Sequence, residues 1–121
     1  MTVIERTTPH FDLCMRILPM GRDLIVSLQG GDTPHVGAVA LAVPHPGLRT
    51  PDKTDATVSL LAVTGHKEDR LARKIAYSLA MHGNRTVSVT CGIHVDNATD
   101  EIIALVIELT DDMLEQALRE L

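Results

Sequence analysis

Aromatic residues are nearly absent from this sequence of 121 residues, which contains one Phe, one Tyr and no Trp. This scarcity argues against a surface that recognises bases or sugars by stacking them on aromatic rings. Hydrophobic residues still make up 45% of the chain, so its core has to be built from Val, Ile, Leu, Ala and Met. The length and composition predict a single folded domain that spans residues 1–121.

An excess of basic residues is also lacking. The formal net charge is -5 at pH 7 and no basic stripe is evident, which argues against nucleic acid as a partner. The longest apolar runs, such as residues 36–43, fall far short of the roughly 20 residues that cross a bilayer. We therefore expect neither a nucleic-acid partner nor a membrane partner.

Cysteine is scarce as well, because only Cys14 and Cys91 are present and they do not form a CxxC motif. Two separate thiols fit a reducing cytoplasm better than they fit a disulfide-stapled scaffold. The first ten residues are polar and include an acid, which is not the pattern of a signal peptide. These features predict a cytoplasmic location.

Alternation of apolar and polar residues predicts most of the strands. Residues 85–95 give the clearest example, with Val, Cys and Ile on one face and Thr, Ser, Gly and His on the other. Residues 35–43 are apolar on both faces, which is typical of an internal strand, and one of these faces is small enough for a helix to approach closely. The predicted strands are residues 10–18, 23–29, 35–43, 57–63 and 85–95.

Helical periodicity replaces alternation in two segments, near residues 67–82 and 99–120. Apolar residues recur along the first segment at helical spacing, at Leu71, Ala72, Ile75, Ala76, Leu79 and Ala80. In the second segment, the sequence Thr110-Asp111-Asp112 is also typical of a new N-cap. The second segment is therefore compatible with one helix or with two.

The order of these elements predicts an α+β fold with one mostly antiparallel five-stranded sheet and two amphipathic helices on one face. A right-handed crossover should make strand 85–95 parallel to strand 57–63 if the two are neighbours. The other sheet face needs a cover of its own, for which we expect a homodimer. Residues 44–56 contain three prolines and little that could pack, which makes this loop a candidate lid.

Three loops at strand ends carry most of the polar residues that chemistry would need. In the first, Gly30 and Gly31 precede His35 and Gly37, and paired glycines permit either a tight turn or close approach of the backbone to a ligand. The loop matches neither GxGxxG nor the P-loop pattern. It therefore carries no nucleotide-binding fingerprint.

The second loop, Gly65-His66-Lys67, lies between a predicted strand and a predicted helix. Free amides at a helix start and a nearby Lys suit a phosphate or a carboxylate. A capped surface turn explains the same residues, and Glu68 and Asp69 oppose a bound anion.

The third loop contains Cys91, Gly92, His94 and Asp96 at the end of strand 85–95. The two-residue spacing of His94 and Asp96 places them on one face, so that the carboxylate could orient the imidazole. The alternative is a solvated His on a polar face. Cys91 falls on the apolar face, where thiols are usually inert.

His35, His66 and His94 lie in these three loops at strand ends. Because the carboxyl ends of parallel strands share one edge of a sheet, we expect the three histidines to converge on one polar pocket. No pair among them has the i,i+4 or CxxC spacing of a metal site, and the sequence therefore predicts no metal.

Three runs of sequence together resemble the LpdD-like family, over roughly residues 22–107. They are GGDTPHVGAVALAVP, GHKEDRLARKIAYSLA and VTCGIHVDNATDEII. Members of this family are small proteins encoded beside UbiD-type decarboxylases, and their fold is similar to that of small proteasome assembly chaperones, which often dimerise. The resemblance implies cofactor-binding roles at Gly30, Gly31, His35, Gly37, Gly65, His66, Lys67, Cys91, Gly92 and His94.

The resemblance implies a non-catalytic accessory protein that binds prenylated FMN, or FMN, or delivers it to mature a UbiD-type decarboxylase. One alternative is a protein assembly chaperone without a small ligand. Another is a small independent enzyme that uses His66, His94 and Cys91 for acid–base chemistry. A purified protein that is yellow would favour the first reading.

Overall fold

Six strands and two helices make up residues 1–63 and 68–121, the part of the chain that the computed structural model describes. The strands are β1 (Thr2–Thr7), β2 (Asp12–Met20), β3 (Asp23–Gly31), β4 (Ala38–Pro46), β5 (Thr54–Ala62) and β6 (Val87–His94). The helices are α1 (Glu68–Gly83) and α2 (Asp100–Glu120). The α+β class and the two helices are as the sequence predicts.

The sheet has six strands in the order β1-β2-β3-β6-β4-β5, so the prediction of five strands was wrong. The missed strand is β1, in which Glu5 and Arg6 interrupt the apolar pattern and Ile4 alone is fully buried. This strand forms because it pairs with β2 along its whole length. A six-residue segment with one buried side chain gives too weak a period to be recognised alone.

The sheet is mixed, with one parallel pair, β3 with β6, and four antiparallel pairs. β6 lies between β3 and β4, so those two strands are consecutive in sequence but are not neighbours in the sheet. β4 likewise separates β5 from β6, and α1 crosses over it. Since β5 and β6 are both antiparallel to β4, they run in the same direction without being neighbours.

The core lies on one face of the sheet, beneath both helices. One row of side chains in register runs from β1 to β4 through Ile4, Met15, Leu28, Cys91 and Ala38, and none of these is more than 1% exposed. The buried face of β4 is made of alanines, and α1 presents buried alanines of its own. Small residues on both elements bring the helix close to the sheet, as predicted.

α2 is one uninterrupted helix. Thr99 caps its start by accepting a hydrogen bond from the backbone N–H of Ile102 at 3.2 Å. Thr110 is buried, and its hydroxyl donates to the carbonyl of Ile107 at 3.0 Å. The hydroxyl is therefore bonded to the preceding turn of the same helix and does not cap a second one.

The lid expected at residues 44–56 is wrong, because β4 continues to Pro46 and β5 already begins at Thr54. The connecting loop lies at the opposite end of the sheet from the carboxyl ends of β3 and β6. Prolines are tolerated here because β4 pairs with β6 only as far as Ala42, which leaves one side of its last residues without a ladder partner.

Candidate functional site

One end of the sheet collects the predicted strand-end loops. β3 and β6 are parallel and end there, at Gly31 and His94, which are paired in register. The antiparallel β4 begins at the same end. The N–H of Asp32 donates to the carbonyl of His94 at 2.7 Å, and this bond fastens the loop after β3 to the end of β6.

Two glycines allow the segment 32–37 to lie directly on its neighbours. A Cβ on Gly92 would overlap the backbone carbonyl of His35, and a Cβ on Gly37 would overlap the carboxylate of Glu68. The N–H of Gly37 also donates to the carbonyl of Cys91 at 2.9 Å. Close contact within the chain itself therefore explains both glycines.

Glu68, the first residue of α1, is 7% exposed and connects three segments of the chain. Its carboxylate lies 3.0 Å from Nε2 of His35 and accepts the backbone N–H of Ile93 at 3.2 Å. Nδ1 of His35 faces the carbonyl of Thr33 at 3.1 Å. Both ring nitrogens thus face oxygen atoms of the protein.

Cys91 lies fully buried beneath this connection. Burial, followed by the negative charge of Glu68, raises the pKa of its thiol to about 12. The thiol is therefore neutral at physiological pH and lacks the thiolate that a nucleophile needs. This agrees with the sequence-based view that Cys91 belongs to an inert apolar face.

A cavity of about 790 Å³ opens between α1 and α2 at this end of the sheet. Its walls are aliphatic, and its polar groups are concentrated along α1 and the strand ends. The lining residues of most interest are His35, Arg70, Lys74, His94, Ile103 and Ile107. The volume is within the usual range for small-molecule sites.

Charged side chains mark the side of the cavity that α1 forms. Arg70 and Lys74 are one helical turn apart, and Nζ of Lys74 lies 2.6 Å from Oδ1 of Asp111 on α2. This ion pair connects the two helices at the cavity. Arg70 and Lys74 follow Glu68 along α1. An anion could therefore contact these two cations without contacting the buried carboxylate of Glu68.

Sequence reasoning missed the contribution of α2 to this cavity. A signal was present, since its first half has apolar residues at 102, 103, 105, 106, 107 and 109, far more than one stripe requires. Ile102 and Val106 pack against the core, whereas Ile103 and Ile107 line the cavity without packing there. A helix that is apolar beyond its core-facing stripe needs a second apolar neighbour.

The predicted site residues are only partly brought together. His35 and His94 line the cavity, and Nε2 of His94 lies 3.0 Å from Oδ1 of its predicted partner Asp96. Gly30 packs elsewhere, since a Cβ there would lie 2.7 Å from Cδ2 of Leu13 on β2. Gly65, His66 and Lys67 lie outside the described residues, and so the convergence of all three histidines stays a prediction.

Within residues 1–63 and 68–121, no cluster of three or more His, Cys, Asp or Glu side chains is arranged to hold a metal ion. None of the helices in the same residues combines the length and the hydropathy needed to cross a membrane.

Comparison with known proteins identifies the family. The model of the prenylated flavin chaperone LpdD-like domain matches residues 7–121. The chain belongs to this family. The match extends to residues 108–121, beyond the roughly 22–107 over which the sequence motifs resemble the family. The family is one of chaperones and not of enzymes, so an accessory chaperone role is confirmed for this LpdD-like chain.

Two further comparisons concern one curated protein and one solved structure. Protein LpdD of Lactiplantibacillus plantarum is 28% identical over 99 residues, which cover 80% of this chain and 68% of that protein. A chain in a crystal structure of a chaperone complex for yeast 20S proteasome assembly aligns with a TM-score of 0.50 and 18% identity. That alignment covers 98% of this chain and 96% of the other. At such low identity, this second likeness shows the fold alone.

Proposed function

We propose that this LpdD-like chain binds prenylated FMN, or FMN, transiently in the cavity between α1 and α2 and delivers it to a UbiD-type decarboxylase. The observation that carries the proposal is that this cavity combines aliphatic side chains of α2 with the cationic side chains of Arg70 and Lys74 on α1. A phosphorylated amphiphile needs both parts. The description of the family as prenylated flavin chaperones supports a prenylated flavin as the ligand.

The aliphatic lining fits a weak and reversible complex. Neither Phe11 nor Tyr77 lines the cavity, so an isoalloxazine ring would rest on Ile, Leu and Val side chains without aromatic stacking. The phosphate would lie against Arg70 and Lys74, where charge-assisted hydrogen bonds are strongest. A protein that delivers a cofactor has to release it, and an aliphatic wall favours release.

The test is to co-express the protein with a flavin prenyltransferase and to measure bound flavin by native mass spectrometry and absorbance. Ile107→Glu places a negative charge in the cavity at a side chain that is already 43% exposed. Ala104→Glu is the matched control, because Ala104 is exposed on the same helix and does not line the cavity. Loss of flavin in Ile107→Glu but not in Ala104→Glu supports the proposal. No binding by the unmodified protein when flavin is supplied in excess overturns it.

Arg70→Gln tests the phosphate contact separately. Loss of one charge-assisted hydrogen bond of about 1.5–3 kcal/mol should weaken flavin binding by roughly 10- to 100-fold. Equal affinity of the Arg70→Gln variant and the unmodified protein would show that the phosphate lies elsewhere. Transfer is then measured as activation of the apo-decarboxylase by the loaded protein.

A homodimer is the remaining part of the proposal, and the helix-free sheet face supports it. Leu18, Leu41, Val43 and Leu61 are exposed large hydrophobics on this face. Six strands about 4.8 Å apart and roughly 30 Å long give this sheet face an area of about 700 Å². This area is close to the roughly 800 Å² that each partner contributes to a standard interface. We place the protein in the reducing cytoplasm, where both thiols would stay free.

Sedimentation velocity tests the homodimer. Leu41→Glu introduces a charge among the exposed apolar side chains of β4 and β5 on this face and should yield a monomer. Leu48→Glu is the control, because Leu48 is 93% exposed in the loop between β4 and β5. If the unmodified protein is a monomer, the homodimer is contradicted. The exposed hydrophobic residues of this face would then be free to bind a client protein, as in the second candidate function, a protein assembly chaperone.

A further inference from the structure

The two edges of the sheet are protected very differently. β1 carries Glu5 and Arg6, and Arg6 reaches α2 through Asp112 at 2.8 Å and Gln116 at 2.7 Å. β5 pairs with β4 alone among the described strands, and its residues 56–62 include neither a charge nor a proline. Natural proteins usually blunt exposed edges with such residues or cover them. β5 is therefore an edge that another strand can join.

The outward-facing backbone groups of β5 follow from the ladder. The N–H of Val63 donates to the carbonyl of Gly37 at 2.8 Å, directly beyond the register of β4 with β5. In an antiparallel pair, residues that bond to the neighbouring strand alternate with residues that do not. The N–H and C=O groups of Val58, Leu60 and Ala62 consequently point away from β4.

A basic groove runs beside this edge. It has a volume of about 440 Å³ between β5 and α1, and its lining includes Arg70, Arg73, Lys74 and Asp55. Oδ1 of Asp55 already accepts the hydroxyl of Tyr77 at 2.6 Å and the N–H of Ala56 at 2.8 Å. Of the three cations, only Lys74 has an ion pair among the described residues.

We propose that β5 and this groove bind an extended acidic segment of a partner protein, which joins the sheet as a seventh strand. Every second side chain of an added strand would point toward α1. Side chains on that face of the added strand would be ~6.6–6.8 Å apart. Helix positions three or four residues apart, such as Arg70 and Arg73, are separated by a similar rise of ~4.5–6 Å. Carboxylates on that face can therefore reach Arg70 and Arg73 while the backbone pairs with β5.

Charge decides against a second copy as the occupant. Antiparallel pairing of β5 with its own copy would place both α1 helices on the same face, side by side. The cations of the two grooves would then oppose one another across the new ladder, and like charges in such positions are destabilising. An acidic segment instead meets uncompensated cations on a chain whose net charge is -5. This surface shares Arg70 and Lys74 with the proposed phosphate contact, whereas Arg73 and β5 lie outside the cavity that Ile103 and Ile107 line.

The experiment uses the full-length, isotope-labelled protein and two synthetic peptides of about eight residues, the length of a strand. One peptide alternates Glu with Val, and the other alternates Lys with Val. The Glu peptide should bind and slow amide exchange at Val58 and Leu60, while Ser59, already bonded to β4, changes little. Equal binding of both peptides, no binding of the Glu peptide, or protection away from β5 overturns the proposal.

Variants separate the groove from general electrostatics. Arg73→Glu should weaken binding of the Glu peptide by at least about tenfold, since it replaces an attraction by a repulsion. Arg119→Glu makes the same change in charge at an exposed position in the last turn of α2 and should leave binding unchanged. If both variants weaken binding equally, attraction to this groove is refuted.

A backbone variant tests the strand addition itself. Ala62→Pro removes one outward N–H without removing a bond to β4, and Ala62 is exposed. Reduced binding of the Glu peptide by folded Ala62→Pro supports pairing with the edge, and unchanged binding with unchanged protection at Leu60 contradicts it. A dimer that Ala62→Pro dissociates would show that a second copy occupies the edge and would overturn the acidic partner.

Discussion

The carboxylate of Glu68 lies 3.0 Å from Nε2 of His35, although 33 residues separate the two in sequence. Through this contact the first turn of α1 holds the loop after β3, and through the N–H of Ile93 it holds the end of β6. The sequence suggested only that Glu68 would repel an anion. In the fold it is a buried positioning residue at the edge of the cavity.

Two replacements of Glu68 should separate its role as a hydrogen-bond acceptor from its negative charge. Glu68→Ala leaves the partly buried N–H of Ile93 without its acceptor, which should lower the free energy of unfolding by about 1–3 kcal/mol. Glu68→Gln keeps an oxygen for Ile93 and should cost less. Urea denaturation of both variants checks this order. Equal losses in both variants would mean that the negative charge, and not the acceptor, stabilises the loop.

The reactivity of the Cys91 thiol tests the influence of the Glu68 carboxylate. Burial and then the charge of Glu68 raise the pKa of Cys91 to about 12. Glu68→Gln removes only the second cause, so the pKa should fall but remain above its usual value. The rate of alkylation at Cys91, measured against pH in a Cys14→Ser background, checks the direction. A rate that does not depend on Glu68 would contradict the assigned cause.

Gly92→Ala should disrupt the loop that carries His35. The added Cβ would overlap the carbonyl of His35, and the overpacking should lower the free energy of unfolding by about 1–3 kcal/mol while shifting the NMR signals of the His35 ring. Gly21→Ala is a control with no atom within 4 Å of the added Cβ but with φ of +61°. Its effect should be confined to backbone strain of about 1–2 kcal/mol and should leave the His35 signals in place.

The buried stripe of α1 should respond unevenly to truncation. Ile75 and Leu79 are each 2% exposed, so Ile75→Ala and Leu79→Ala should each cost about 2–5 kcal/mol. Leu71 is only half-buried and lines the cavity, so Leu71→Ala should cost less and weaken flavin binding instead. Denaturant midpoints that barely move for Ile75→Ala and Leu79→Ala would contradict the packing.

Tyr77 and Asp55 make stability depend on pH. The hydrogen bond from the Tyr77 hydroxyl, followed by that from the N–H of Ala56, lowers the pKa of Asp55 below its usual value. The resulting stabilisation is present above the unfolded-state pKa and is lost as the pH falls through the folded-state pKa. Tyr77→Phe should therefore raise the pKa of Asp55, as measured by NMR titration of its carboxyl carbon. An unchanged pKa would show that the hydrogen bond is not populated in solution.

The elements themselves could be predicted from local patterns. Apolar and polar residues alternate along residues 85–95 because one face of β6 is buried under α1 and the other is not. The period of two in the sequence therefore indicates a strand with one buried face. The apolar stripe around Ile75 likewise indicates which side of α1 packs against the sheet. Each of these signals is a property of neighbouring residues, so a single sequence is enough to recognise it.

The order of the strands and the composition of the cavity were decided by tertiary structure. β6 lies between β3 and β4 because its buried residues continue the rows of both neighbours, which no pattern within β6 reveals. Pairing with β2 likewise turns Thr2–Thr7 into a strand. Glu68 meets His35, and Ile107 faces Lys74 across the cavity, only after the crossover of α1 brings these segments together. Contacts of this kind depend on the whole chain, since the segments that make them carry no local signal for one another.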